Sequence, residues 1–286
     1  MSHFTVMVIK RKGSKKSVED ILAPYDEELT VAPYISKSRA ELIEYGKKKI
    51  KGLEESEEIL NYLKDPVEFE AKEGKSRAEY CSKEASYVKD YQTRKWEDDD
   101  YHAFATRYDD PDELDMDGNE ISTYNPNSKW DWYSIGGRWS GQLKLKDGSK
   151  VDSALAKEID WDDMFKLSKD DEEYHTKFWH AYVLGEMYSD PKLKEWYVEF
   201  VQFTLYKREY FLEKYKDLPG YLKYCAQWET YAVADAKGWY APGEMGWFGC
   251  STESNDESNE WSDKFRSRFI DTLDPEDEVT IVDCHI

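Results

Sequence analysis

The chain has 286 residues, of which 61 are acidic and 40 basic, for a formal net charge of −21. Acidity on this scale disfavours direct contact with nucleic acid or an anionic membrane. It favours a basic partner, including a protein surface that holds DNA, and it equally serves solubility. Aromatic residues make up 15% of the chain, with 11 Trp and 22 Tyr. Side chains that bury so much area exclude an acidic disordered chain.

The run Phe4 to Ile9 (FTVMVI) is short, apolar and β-branched, and reads as a strand. A basic turn around Gly13 and an extended stretch with Pro24 and Pro33 follow. Ser38 and Glu41 have capping-box spacing, so a helix starts there with Leu42, Ile43, Ile50 and Leu53 on one stripe. Residues 54–100 read as polar helices, interrupted at Asp65-Pro66 and Gly74, and are expected to be peripheral. The stretch Glu97 to Glu120 carries eleven acidic residues against Arg107 alone. Asp117-Gly118 signals a turn before a strand at Ile121 to Tyr124.

The central segment Asn125 to Gly141 (NPNSKWDWYSIGGRWSG) holds three Trp, one Tyr, one Arg and three Gly. In an extended conformation Trp130 and Trp132 share one face, and Asp131 and Tyr133 the other. Gln142 to Leu145 alternates like a strand, and Asp147-Gly148 predicts a hairpin back towards Val151. Aromatic residues then recur at helical spacing over 154–225. Asp190-Pro191 is expected to separate two helices and Pro219-Gly220 to end the second. That second helix is apolar on more than one face and is expected to be packed on more than one side. Tyr231 to Ala234 resumes a strand and leads into a Gly-rich aromatic loop with Trp239 and Trp247. A helix over Trp261 to Leu273, preceded by a polar cap, and the strand Val279 to Ile286 close the chain.

These elements predict an α+β fold. The N-terminal, central and C-terminal strands form one mixed sheet, and an aromatic-rich helical lobe is inserted. The expected organisation is 1–153 as an N-terminal domain with the WDWYSIGGRW motif, 154–225 as the lobe, and 226–286 as a segment returning to the sheet.

No cofactor or metal site is read. The five histidines make no HExxH or paired His/Cys spacing. His3, Cys284 and His285 would meet if the terminal strands paired, but alternation sends Cys284 and His285 to opposite faces. Asp115, Asp117 and Gly118 suggest a calcium loop, yet its register puts Tyr124 where a bidentate Glu is required. Neither a Walker loop nor a GxSxG elbow is present. Gly136-Gly137-Arg138 could present backbone N–H groups and a guanidinium to a small anion. The competing reading is a bulge or close packing, with Arg138 on a carboxylate or a Trp ring. The four cysteines form no CxxC pair, no signal peptide or membrane-spanning run is read, and a cytoplasmic protein with reduced thiols is expected. Cys284 is the candidate for intermolecular pairing.

SHFTVMVI at the start, LAPYDEE at 22–28 and YNPNSKWDWYSIGGRWSG at 124–141 resemble a family of uncharacterised phage and prophage proteins. The resemblance covers mainly the first 150 residues and brings no catalytic residues with it. It implies a phage protein, host-cytoplasmic when expressed. Size, acidity and setting resemble the anti-defence proteins with which phages enclose the Gabija nuclease-helicase system. The resulting expectation is a non-enzymatic, homo-oligomeric inhibitor that contacts a host defence complex at its basic DNA-handling surface. Its interaction residues would be Trp130, Trp132, Tyr133, Arg138, Trp139, Trp239 and Trp247. The alternatives are an enzyme acting on a nucleotide or other small anion at the Gly136-Gly137-Arg138 turn, and a phage structural or assembly protein.

Overall fold

A computed structural model describes residues 2–186, 192–246 and 249–286. In chain order, strand β1 (His3–Lys10) and helix α1 (Val18–Leu22) come first. Strand β2 (Tyr34–Lys37) precedes helices α2 (Arg39–Glu54), α3 (Glu57–Lys64), α4 (Pro66–Glu73), α5 (Lys75–Thr93) and α6 (Asp98–Ala105), and β3 (Glu120–Ser122) follows them. Then come β4 (Trp132–Ile135), β5 (Leu143–Lys144), β6 (Lys150–Val151) and β7 (Ser153–Leu155). The helices α7 (Trp161–Met164), α8 (Lys169–Phe178), α9 (Leu193–Phe203), α10 (Arg208–Tyr215) and α11 (Leu218–Cys225) form the next block. Strands β8 (Ala232–Asp235) and β9 (Gly238–Tyr240), helix α12 (Asn255–Phe265) and β10 (Glu278–His285) complete the α+β fold.

The chain divides into two compact units, Met1–Leu29 with Asn125–Ile286, and Thr30–Tyr124. In the first, the strand order is β4-β10-β1-β8-β9, with β7 also on β10. The terminal strands pair antiparallel along their whole length, from His3 opposite His285 to Lys10 opposite Glu278. β1 and β8 run parallel, so the sheet is mixed, and its ends do meet as their apolar patterns predict. Period-2 alternation divides the side chains of these strands between two cores. One face carries Met7, Ile9, Val279 and Ile281 under Trp261, Phe265 and Phe269. The other carries Phe4, Val6, Val8, Val282 and Cys284 under Ile21, Leu22 and Trp130.

The Asp147-Gly148 hairpin joins β5 to β6. The aromatic helices enclose a further core of Phe178, Trp179, Phe200, Phe211 and Tyr221. Pro219 does not end a helix there. It sits in the first turn of α11, where its missing N–H has no helical partner to lose, behind the Asp217 cap. The second apolar face of α9 is not packed either: Val198 and Val201 are exposed, as is Leu205 beyond the helix end. The Asp190-Pro191 break lies outside the described residues.

Residues 30–124 are not mere periphery. Helices α2 to α6 surround their own core of Ile50, Ile59, Cys81, Val88, Trp96 and Phe104. The Ser38–Glu41 capping box is formed, and the helix breaks fall at Asp65 and Gly74. No helix among the described residues is long and apolar enough to cross a membrane.

Candidate functional site

Two of the sequence segments singled out above are one physical object. Asn125, fully buried, donates both amide hydrogens, to the carbonyls of Pro24 and Asp26, each at 2.8 Å. Glu27 N–H donates to the Trp130 carbonyl at 2.9 Å, and the Trp130 indole N–H reaches the Leu22 carbonyl at 3.3 Å. The NPNSKW run thus binds down LAPYDEE, with Asp26 and Trp130 forming an isolated parallel β-bridge.

The Gly-Gly turn closes over two carboxylates. Gly136 and Gly137 both have positive φ, 70° and 52°. A Cβ on Gly137 would lie 2.5 Å from Asp283 Oδ2 and 2.6 Å from Ser134 Oγ. One on Gly136 would fall 2.5 Å from Asp152 Cγ. The turn therefore needs glycine twice, for backbone sign and for space. Arg138 N–H donates to Asp283 Oδ2 at 3.0 Å, Gly141 N–H to Asp152 Oδ1 at 2.5 Å, and the Ser140 hydroxyl to Asp152 Oδ2 at 3.1 Å. The anion that these backbone donors hold is the chain's own.

Beside that turn lie two histidine–aspartate pairs. His3 Nδ1 is 2.8 Å from Asp283 Oδ1, and His285 Nδ1 is 2.6 Å from Asp131 Oδ1. The rings meet edge to face with centroids 5.0 Å apart, and Trp132 stacks on His285 at 5.2 Å with 17° between planes. His285 is 5% exposed, and its Nε2 has no hydrogen-bond partner among the described residues. A carboxylate-oriented imidazole is the arrangement of a general base. No hydroxyl or thiol hydrogen-bonds to either ring among the described residues, however. Cys284 points to the opposite sheet face, where burial pushes its thiol far up. Among the described residues no group of three or more His, Cys, Asp and Glu side chains is arranged to hold a metal ion. One pair ties β1 to β10, and the other ties β10 to the residue that precedes β4.

The candidate interaction residues disperse. Trp130 is buried with Tyr133 against it, centroids 5.1 Å apart, and Trp239 packs in the same core beside Tyr25. Trp139 packs on the other face of the sheet. Trp130 and Trp132 do not share a face, because the backbone bends at Asp131 before β4 begins. Only Trp132, 45% exposed, and Arg138, whose exposed guanidinium has no ion pair among the described residues, remain available to a partner. Trp247 lies outside the described residues. Asp131, Asp152 and Asp283 had no distinguishing signal among so many carboxylates.

In the second unit the acidic stretch separates into two parts. Asp98, Asp99, Asp100 and Glu120 pair with Lys47, Arg39, Arg94 and Lys37. Arg107, the lone basic side chain of the stretch, turns inward to the fully buried Glu84 at 2.9 Å, and Tyr108 donates to the same carboxylate at 2.7 Å. Asp109, Asp110, Asp112, Glu113, Asp115 and Asp117 form no ion pair among the described residues. Asp115 instead holds the turn by accepting from the Asp117 and Asn119 N–H groups and the Asn119 amide. Met116 stands fully in solvent among these carboxylates. Compared with known proteins, the chain matches no family model, no curated protein and no solved structure.

Proposed function

We propose that this chain is an acidic binding protein that occupies the basic, DNA-handling surface of a bacterial anti-phage defence complex and so blocks DNA binding or cleavage. The observation that supports this most is the fate of Arg107. Its inward ion pair with Glu84 leaves six carboxylates in nine residues, 109–117, with no ion pair among the described residues. A surface of one sign attracts its complement over a Debye length, speeds encounter and excludes competing polyanions. Exposed Met116 and Tyr108 give that surface apolar contact area. The phage setting rests on the resemblance of the 1–150 segments, and homo-oligomerisation goes with it.

The alternative of an enzyme acting on a small anion at Gly136-Gly137-Arg138 has less to stand on, because the Arg138 and Gly141 N–H groups already hold Asp283 and Asp152. A phage assembly protein would be found in purified virions.

The test mixes the purified chain with anti-phage nuclease complexes, the Gabija nuclease-helicase first, and a labelled DNA duplex. Displacement of the duplex, weakened by salt, is expected. A variant with Asp109→Asn, Asp112→Asn, Glu113→Gln and Asp117→Asn keeps the turn-forming Asp110 and Asp115 and should lose displacement. Absence of a complex with every such nuclease would sink the proposal.

A further inference from the structure

The helical part of the first unit contains a cleft of about 350 Å³ between the α10–α11 corner and α12. That volume is near the lower end of small-molecule sites, which run from roughly 300 to 1,000 Å³. One wall is cationic and aromatic: Lys214, Lys216 and Lys223 with Tyr215 and Tyr224. The other is made of Gln227, Asn259, Ser262 and Asp263. In a chain of net charge −21 this cleft holds three ammonium groups against one carboxylate.

None of the three lysines makes an ion pair among the described residues. Lys214 is held by neutral groups instead. Its Nζ donates to the Tyr210 hydroxyl at 3.1 Å and lies 5.3 and 4.9 Å from the ring centroids of Tyr215 and Tyr224. Its charge is positioned without being neutralised.

Lys216 carries the second observation. It is the one non-glycine with positive φ among the described residues, at φ 68° and ψ −49°. Asp217 N–H donates to the Tyr215 carbonyl at 2.8 Å across it, which makes the rarer, strained form of γ-turn. The surroundings enforce the turn. Asp217 Oδ1 accepts from Gly220 N–H at 2.8 Å, and any Cβ on Gly220 would run into the Tyr215 carbonyl oxygen. Glycine would satisfy position 216 with less strain, yet a lysine stands there and lines the cleft.

The polar wall has an open valence. Gln227 Nε2 makes only a long 3.5 Å contact to Asp263 Oδ1, and Gln227 Oε1 is buried without a partner. Asp263 Oδ1 is an acceptor that takes only this long contact among the described residues, so a ligand donor is what the wall lacks. Lysines for an anion, tyrosine rings for a planar group and acceptors for an amine describe one ligand chemistry. We infer that the cleft binds a small phosphate monoester bearing an amine-substituted planar ring, a nucleoside monophosphate. This inference concerns residues outside 109–117 and is independent of the function proposed above.

The test is titration calorimetry of the full chain at low salt with adenosine 5′-monophosphate, ribose 5-phosphate, inorganic phosphate and adenosine. Saturable binding of adenosine 5′-monophosphate, tighter than any of the other three, is expected. Lys216→Gly removes the charge and relieves the turn, so it should weaken binding about tenfold with an unchanged or higher melting temperature. Lys214→Gln should weaken it about as much. No saturable heat with adenosine 5′-monophosphate overturns the inference. So does equal affinity for inorganic phosphate, or unchanged affinity in the Lys214→Gln/Lys216→Gly double variant.

Discussion

Replacing Gly137 by Ala tests whether the Gly-Gly turn exists to seat a buried carboxylate. Two glycines separate the contributions. Gly137 and Gly148 both have positive φ, 52° and 86°, but a Cβ on Gly148 meets nothing within 4 Å. At either site Ala in a left-handed conformation costs about 1–2 kcal/mol. Lost freedom of the unfolded chain returns about 0.4–1 kcal/mol. Gly148→Ala should therefore destabilise by about 1 kcal/mol or less. Gly137→Ala adds crowding against Asp283 and Ser134, about 1–3 kcal/mol. It also disturbs the Arg138 N–H bond to Asp283, a charge-assisted bond with about 1.5–3 kcal/mol at stake. The sum is about 2.5–7 kcal/mol, a large share of the roughly 5–15 kcal/mol that holds a typical domain. Urea unfolding followed by tryptophan fluorescence measures this in the right place, because Trp96 is the single tryptophan of residues 30–124. Gly137→Ala no worse than Gly148→Ala would refute the argument that the turn is shaped around the carboxylate.

Three more outcomes are expected. Asn125→Ala should destabilise by about 1–3 kcal/mol, since it removes the two hydrogen bonds that the fully buried Asn125 donates to the Pro24 and Asp26 carbonyls; Asn125→Asp, which also lacks the donors, should be no better in the same urea assay. Burial works against the charge of Asp277, but the Lys12 N–H, the Arg11 guanidinium and the Asp274 N–H outweigh it and hold its carboxyl below the usual range. Its stabilisation is therefore complete above about pH 4 and lost as pH falls through the folded-state value. Asp277→Asn should cost about 3 kcal/mol at pH 7, with the gap narrowing at pH 3. Glu229 is the opposite case: burial pushes its carboxyl up against the Ser262 hydroxyl bond, with Asp263 adding to the rise. Ionisation then opposes folding as pH rises from about 4.3 through the folded-state value. Glu229→Gln should melt higher than the natural chain at pH 7 and equally at pH 4; a lower melting temperature at pH 7 would contradict the sign.

Local features were legible in the sequence because their causes are local. The Ser38–Glu41 box, the helix breaks at Asp65 and Gly74, the Asp147-Gly148 hairpin and the alternating terminal strands each depend on residues within a few positions of one another. Even the separation of Cys284 from His285 followed from strand alternation alone. Pro219 was misread because proline stops one helix and starts another equally well, and the Asp217 cap decides between them.

What the glycines and charges do was decided by tertiary structure. Gly136 and Gly137 are explained by Asp152 and Asp283, and the second of these is far away in sequence. Trp130 and Trp132 part because the chain bends at Asp131, whose carboxylate goes to His285. Arg107 was the one basic residue of an acidic stretch by composition; its ion pair with the buried Glu84 is what takes it away from the carboxylates of 109–117. Composition sets the sign of a surface, but a charge acts on a partner only if the fold has not already paired it. By itself the sequence determined the α+β elements and the acidity of this protein. Long-range packing decided which aromatics are core, which anion the glycine turn holds and which carboxylates face solvent.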